Sequence, residues 1–151
     1  RLDYDFDANG GLFPAHIETC RDTSVSSWLE SVLHFLPVNQ RPAGYNPLGI
    51  KNLDPGWVRR LGRSGMDCYA AVLARDVQAL AVSFNTSMDC WETLLPHTVR
   101  HPTITIDLVG LLRAYQARYP GAMYSGCGGG YLYVISDVPV PGALKVHVRV
   151  K

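Results

Sequence analysis

The chain has 151 residues, 47% of them apolar and 18% charged, with a formal net charge of +1. That length fits one domain with its own core, and the composition excludes a disordered polyelectrolyte. A near-neutral balance supplies no field to gather nucleic acid, and no apolar run approaches the roughly 18 residues of a membrane span. The expectation is a cytoplasmic globular domain with no nucleic-acid or membrane partner. The opening "RLDYDFDANGG" is polar, unlike a secretion signal, and lacks an initiator methionine. A piece of a longer protein is therefore expected.

The first third reads as strands. "GGLFPAHIETC" (Gly10 to Cys20) is a short extended run, and "WLESVLHFLPV" (Trp28 to Val38) alternates as a half-buried strand would. "RDTSVSS" reads as the hairpin connection between them. Asp3, Asp5 and Asp7 alternate ahead of these runs and would share one face of a strand. Such a triplet could bind a cation, but a solvated, frayed terminus is the commoner outcome. The stretch from Asn39 to Gly56 then holds three prolines and three glycines without periodicity. Loops of that length inside a compact domain tend to be functional or to cover something.

The middle reads as helices. Asp54 is a candidate N-cap, with Pro55 at the first helical position. "MDCYAAVLARD" continues that helix with Cys68, Ala71 and Val72 on one side. Leu80, Phe84, Met88, Trp91 and Leu95 recur at steps of three and four, which makes a core-facing stripe on a helix stopped by Pro96. "HTVRHPT" is a connection. "TIDLVGLLRAYQARY" is a further helix, capped by Thr105 and closed by Pro120.

"GYLYVIS" and "ALKVHVRVK" close the chain as strands, the second with apolar residues alternating against Lys145, His147 and Arg149. The resulting order, β-β-α-α-α-α-β-β, predicts an α+β fold: an antiparallel sheet with helices packed on one face.

Four glycines crowd "YSGCGGGYLYVIS", just ahead of the first of those strands. A Walker loop needs a lysine that is missing here, and both it and the dinucleotide fingerprint run from strand to helix. This stretch is read as helix, glycines, strand, so neither fits. A close backbone crossing at the start of a strand is the plain alternative.

The other chemical candidates are weaker. Cys20, Cys68, Cys90 and Cys127 form no Cys-x-x-Cys pair, so free thiols are expected rather than a zinc site. His97 and His101 are four apart but flanked by Pro96 and Pro102, which spoils helical metal spacing. No metal site is expected. Cys127 is a conceivable nucleophile, but no helix N-terminus follows to lower its pKa, and a small residue fitting a crowded turn is the favoured reading.

Taken together, "FNTSMDCWETLL" and "ITIDLVGLLRAYQARYPGAMYSGCGGGYLYVIS" resemble the C-terminal half of GHMP-type small-molecule kinases, the family of galactokinase, mevalonate kinase and the heptose and fucose kinases. Ser125, Gly126, Cys127, Gly128, Gly129 and Gly130 match the core of the family's glycine motif, with Cys127 where alanine is usual. Trp91 is similar to a tryptophan of the heptose and fucose kinase branch. Met123 stands where a lysine often precedes the motif.

The resemblance implies that residues 125–130 lie beside the phosphate and substrate, while none of the chain's own residues is catalytic. Arg41 and Tyr45, from the long loop, are candidates for a sugar pocket. ATP and Mg²⁺ are implied for the full-length parent, and none for this chain alone, because the family's ATP loop and catalytic aspartate belong to an N-terminal lobe. The implied partners are that missing lobe and a sugar. A regulatory module that keeps the lobe without its chemistry is the alternative, and an unrelated α+β domain with packing glycines is the third.

Overall fold

The computed structural model describes residues 2–6 and 12–149, with side chains from His16 to Arg149. In chain order the elements are β1 (Leu2–Phe6), β2 (Leu12–Ile17), α1 (Thr23–Val32), β3 (Leu33–Pro37), α2 (Pro55–Ala74), α3 (Val77–Leu94), a 3₁₀ turn (Pro96–Thr98), α4 (Leu108–Arg118), β4 (Gly121–Tyr124) and β5 (Tyr131–Ile135). β1 and β2 form an antiparallel hairpin of their own. Asp3 and Asp5 fall in β1, whereas Asp7 and all side chains of that acidic triplet lie outside the described residues.

The main sheet has the order β3-β5-β4 and is antiparallel throughout. Four α-helices pack against it, so the α+β class with an antiparallel sheet is what forms. Cluster membership follows the two-residue period of the strands. Leu132 and Val134 of β5 join Leu108, Leu112 and Tyr119 around α4. Ile135 joins Val32, Ala71, Leu80 and Ala81 from α1, α2 and α3. All three β5 residues are fully buried, each worth about 1.5–3 kcal/mol of apolar transfer.

Every α-helix starts on an aspartate. Asp22, Asp54, Asp76 and Asp107 accept from the backbone N–H of Ser24, Trp57, Ala79 and Gly110 at 2.8, 3.0, 2.9 and 2.8 Å. Asp54 and Pro55 sit as expected, but α4 is capped by Asp107 and not by Thr105. α2 runs unbroken through both "PGWVRRLGRSG" and "MDCYAAVLARD". It turns back into α3 at Arg75, which holds a left-handed φ of 55°.

Three expectations are corrected. Trp28–Val38 is not one strand: Val25 and Val32 are buried on α1, Trp28 and Leu29 pack with Val32, and only Leu33–Pro37 is extended. "RDTSVSS" is accordingly the cap and first turn of α1, not a hairpin connection. Among its described residues, 143–149, "ALKVHVRVK" forms no strand. It meets the open edge of β3 at one bridge, Leu144 N–H to the Phe35 carbonyl at 2.7 Å, and Val148 N–H then donates to Glu30.

The third correction concerns what precedes the glycines. β4 lies between α4 and the glycine cluster, so the order is helix, strand, glycines, strand. The cluster is the loop of a β-hairpin. β4 can pack this closely because Gly121 has no side chain: a Cβ there would sit 2.6 Å from Ala81 Cα. The outer edge of β4 is sealed by Asn85 of α3, which accepts from Ala122 N–H at 3.0 Å and donates to the Pro120 carbonyl at 3.2 Å.

Candidate functional site

Ser125–Gly130 joins β4 to β5 and is pinned on three sides. Ser125 N–H donates to the Tyr131 carbonyl at 2.9 Å, closing the hairpin. Gly128 N–H donates to the Thr98 carbonyl at 2.9 Å, tying the loop to the 3₁₀ turn. The Gly130 and Gly129 carbonyls accept from Val38 and Asn39 at 3.0 and 3.2 Å, so the chain leaving β3 runs along the loop. The N–H groups of Gly126 and Cys127 have no protein acceptor among the described residues.

The glycines do different jobs. Gly128 and Gly129 have φ of 79° and 73°, conformations that L side chains rarely adopt. A Cβ on Gly129 would also lie 2.5 Å from Leu108 Cδ2, the buried first residue of α4. These two are glycine because the fold requires it. Gly130, by contrast, faces open space, and Gly126 would meet only Arg41 Nη2 at 3.2 Å, the end of a flexible side chain. The packing of the chain explains neither.

Arg41 and Tyr45 are brought to this loop across more than eighty residues of sequence. A Cβ on Gly128 would touch the Tyr45 ring at 3.1 Å and Arg41 Cγ at 3.2 Å. Tyr45 O–H donates to the His97 carbonyl at 3.0 Å, which anchors the long loop on the 3₁₀ turn. Burial, together with Cys127 nearby, pushes the Tyr45 phenol up to about 12. His97 and His101 do meet, as edge-to-face rings with centroids 4.8 Å apart, and Tyr45 packs on His101 at 5.1 Å. The cluster is an aromatic foot for the loop. The proline-rich loop ends at α2, whose first turn takes Pro55 and Gly56.

Two hollows flank the glycines. One is a groove of about 710 Å³ bordered by Pro37 to Arg41 and Gly130 to Tyr131, in which Arg41 is the single charged residue. The other is a smaller cavity of about 170 Å³ under the start of the loop. Met88, Trp91, Thr98, Met123 and Tyr124 line it, with the Ser125–Cys127 segment as its rim. Tyr124 spends its hydroxyl on the Leu108 carbonyl at 2.6 Å, so it offers the cavity only its ring. Thr98 differs. It is 3% exposed, and its Oγ1 is buried with no hydrogen-bond partner among the described residues. Nothing in "HTVRHPT" marks Thr98 as special, because its carbonyl and hydroxyl acquire meaning only from the loop folded against them.

No protein-family model matches the sequence, and no curated protein matches it. Solved structures do match the fold. One is the crystal structure of a D-glycero-D-manno-heptose 1-phosphate kinase from Bacteriodes thetaiotaomicron, with a TM-score of 0.52 at 11% sequence identity. The likeness is one of fold. It covers 87% of this chain but only 33% of the kinase chain. The chain therefore has a GHMP-kinase-like α+β fold and spans about a third of the length of that kinase. Among the described residues, no helix is long and apolar enough to cross a membrane.

Proposed function

We propose that this chain is the C-terminal lobe of a GHMP-type carbohydrate kinase, in which Ser125–Gly130 forms one wall of an ATP-dependent phosphotransfer site. The observation that carries the reading is the division among the glycines. Two serve the fold, while Gly130 faces open space and Gly126 meets only the flexible end of Arg41, so neither is glycine for packing. Bare backbone facing open space is what a phosphate or sugar needs for close approach.

The free N–H groups of Gly126 and Cys127 suit an anionic phosphate oxygen, and Arg41 supplies positive charge across the loop. ATP with Mg²⁺ would supply the transferable phosphoryl group. The chain's own part is to donate fixed hydrogen bonds toward charge on that group and to wall the site from water, which is most of what phosphoryl transfer asks of a protein. The nucleotide loop and the catalytic carboxylate would come from an N-terminal lobe, the chain's principal partner. A sugar is the acceptor, and a cytoplasmic setting suits ATP use.

The test is turnover by the full-length parent with ATP, Mg²⁺ and a panel of monosaccharides. Sugar-dependent ATP consumption is expected, and the 151-residue chain alone should show none. No consumption with any sugar, from a parent whose N-terminal lobe is intact, would sink the reading. Met123, apolar and lining the cavity at the place where the related motif often has lysine, favours a second reading: a regulatory module that binds a small molecule without turnover.

A further inference from the structure

We infer that the outward face of α2 is a dimer interface, on which a second copy of this chain lays its own α2 antiparallel. The inward face of that helix is spent on the fold. Ser64 and Ala71 are buried, and Trp57, Leu61, Cys68 and Val72 pack into the inner clusters. A second apolar stripe remains. Val58, Gly62, Gly65, Met66, Tyr69 and Leu73 follow steps of three and four and fall within roughly a 100° arc of the helix. Val58, Met66 and Leu73 are 47%, 42% and 39% exposed, large apolar side chains left in water.

Gly62 and Gly65 supply an independent observation. Both are exposed in the interior of α2, where glycine destabilises a helix relative to alanine. Neither has a positive φ, and a Cβ on either would meet nothing among the described residues. The chain's own packing gives no reason for them. A helix laid across the stripe does, because two helix backbones approach closely only where side chains are missing.

The stripe is also complementary to itself. About a two-fold axis between Gly65 and Met66, antiparallel pairing sets Met66 against Gly65, Tyr69 against Gly62 and Leu73 against Val58. Each glycine thus receives a large side chain of the other copy. The charges select the same direction. Arg59, Arg60 and Arg63 come level with the uncharged residues 68–74, and Asp54 comes level with Arg75 at each end. A parallel pair would instead stack the three arginines on their own copies and align the helix dipoles. The 20-residue helix is about 30 Å long. An interface of that one helix falls at the small end of specific ones, about 1,000 Å², which gives a weak, reversible dimer.

The deciding experiment is sedimentation of the 151-residue chain from low-micromolar to millimolar concentration. A reversible shift from monomer to dimer is expected, and Gly62→Leu or Gly65→Leu should abolish it. Each variant should keep or raise the melting temperature measured where the wild type is monomeric, because leucine is the better helix former at an exposed site. Direction is read by cysteine cross-linking in a background where the exposed Cys20 is replaced, Cys20→Ser, with linked peptides identified by mass. Met66→Cys should link to its own copy, and Val58→Cys should link to Leu73→Cys but not to itself.

A chain that stays monomeric throughout overturns the inference. So does a dimer that Gly62→Leu leaves intact, or a Val58→Cys chain that links to itself. If a leucine variant fails to fold, the wild-type sedimentation and the cross-links still decide. The inference stands apart from the function proposed above, since turnover by the parent changes none of these outcomes.

Discussion

At the scale of single residues, the glycine run is two populations interleaved in sequence. Gly129→Ala combines a left-handed φ with a clash against Leu108 and should cost about 2–3 kcal/mol, read as a lowered urea midpoint. Gly130→Ala should leave stability within roughly 0.5 kcal/mol while reducing turnover of the parent. A Gly130→Ala parent with full activity would refute a phosphate-site role for that position. Gly128 is a poor probe, because its φ of 79° makes alanine strained whatever its function. Tyr45 gives a pH prediction. Its phenol titrates at about 12 when folded and near 10 in an unfolded chain, so its contribution is complete below pH 10. That contribution is lost as pH rises toward about 12. Tyr45→Phe should therefore show a shallower alkaline fall in stability than the wild type, and parallel curves would disprove the assignment.

At the scale of elements, the legible features are those with a local cause. The Leu80–Leu95 stripe and the Asp54–Pro55 helix start follow from periodicity and capping, and both appear where expected. The misread ones depend on partners. Trp28–Val38 straddles both periods: Val25, Leu29 and Val32, at steps of four and three, belong to a helix that begins before it, and Leu33 begins the strand with no turn between. Capping by Asp22 was the available signal. "ALKVHVRVK" alternates correctly, but alternation makes a strand only where an edge receives it, and among the described residues β3 bonds it at Phe35 alone. β4 is four residues long, too short to carry a period, and exists because α3 gives it a surface. Gly121→Ala should cost about 3 kcal/mol, since backbone meets backbone at Ala81. Asn85→Ala should cost about 2–4 kcal/mol by leaving Ala122 N–H and the Pro120 carbonyl unpaired at a buried edge. Thermal melts of the two variants check both, and a near-wild-type melt for either would contradict this account of how β4 is held.

At the scale of the whole molecule, the sequence pointed to a kinase-like lobe, and the fold agrees with that coarse statement at a TM-score of 0.52. The candidate site was partly legible. Arg41 and Tyr45 drew attention because the loop holding them is long, and folding lays them against residues 126–128. Thr98 and the cavity behind it could not be foreseen, since they arise from four segments meeting. On the function proposed above, the isolated chain should bind ATP much more weakly than the parent, whose N-terminal lobe would carry the nucleotide loop. Calorimetry on both checks this, and equal affinities would mean that the chain carries a complete nucleotide site.

The stitching of Gly129 and Gly130 to the strand exit at Val38 and Asn39 has a consequence for timing. With the Gly129 and Gly130 carbonyls already engaged and its hairpin closed, the loop need not be ordered by whatever arrives. A ligand meets a surface that is already in place, and little of its binding energy goes to freezing the backbone. On the function proposed above, completing a working site would then need only the docking of a second lobe against glycines that already form a fixed wall.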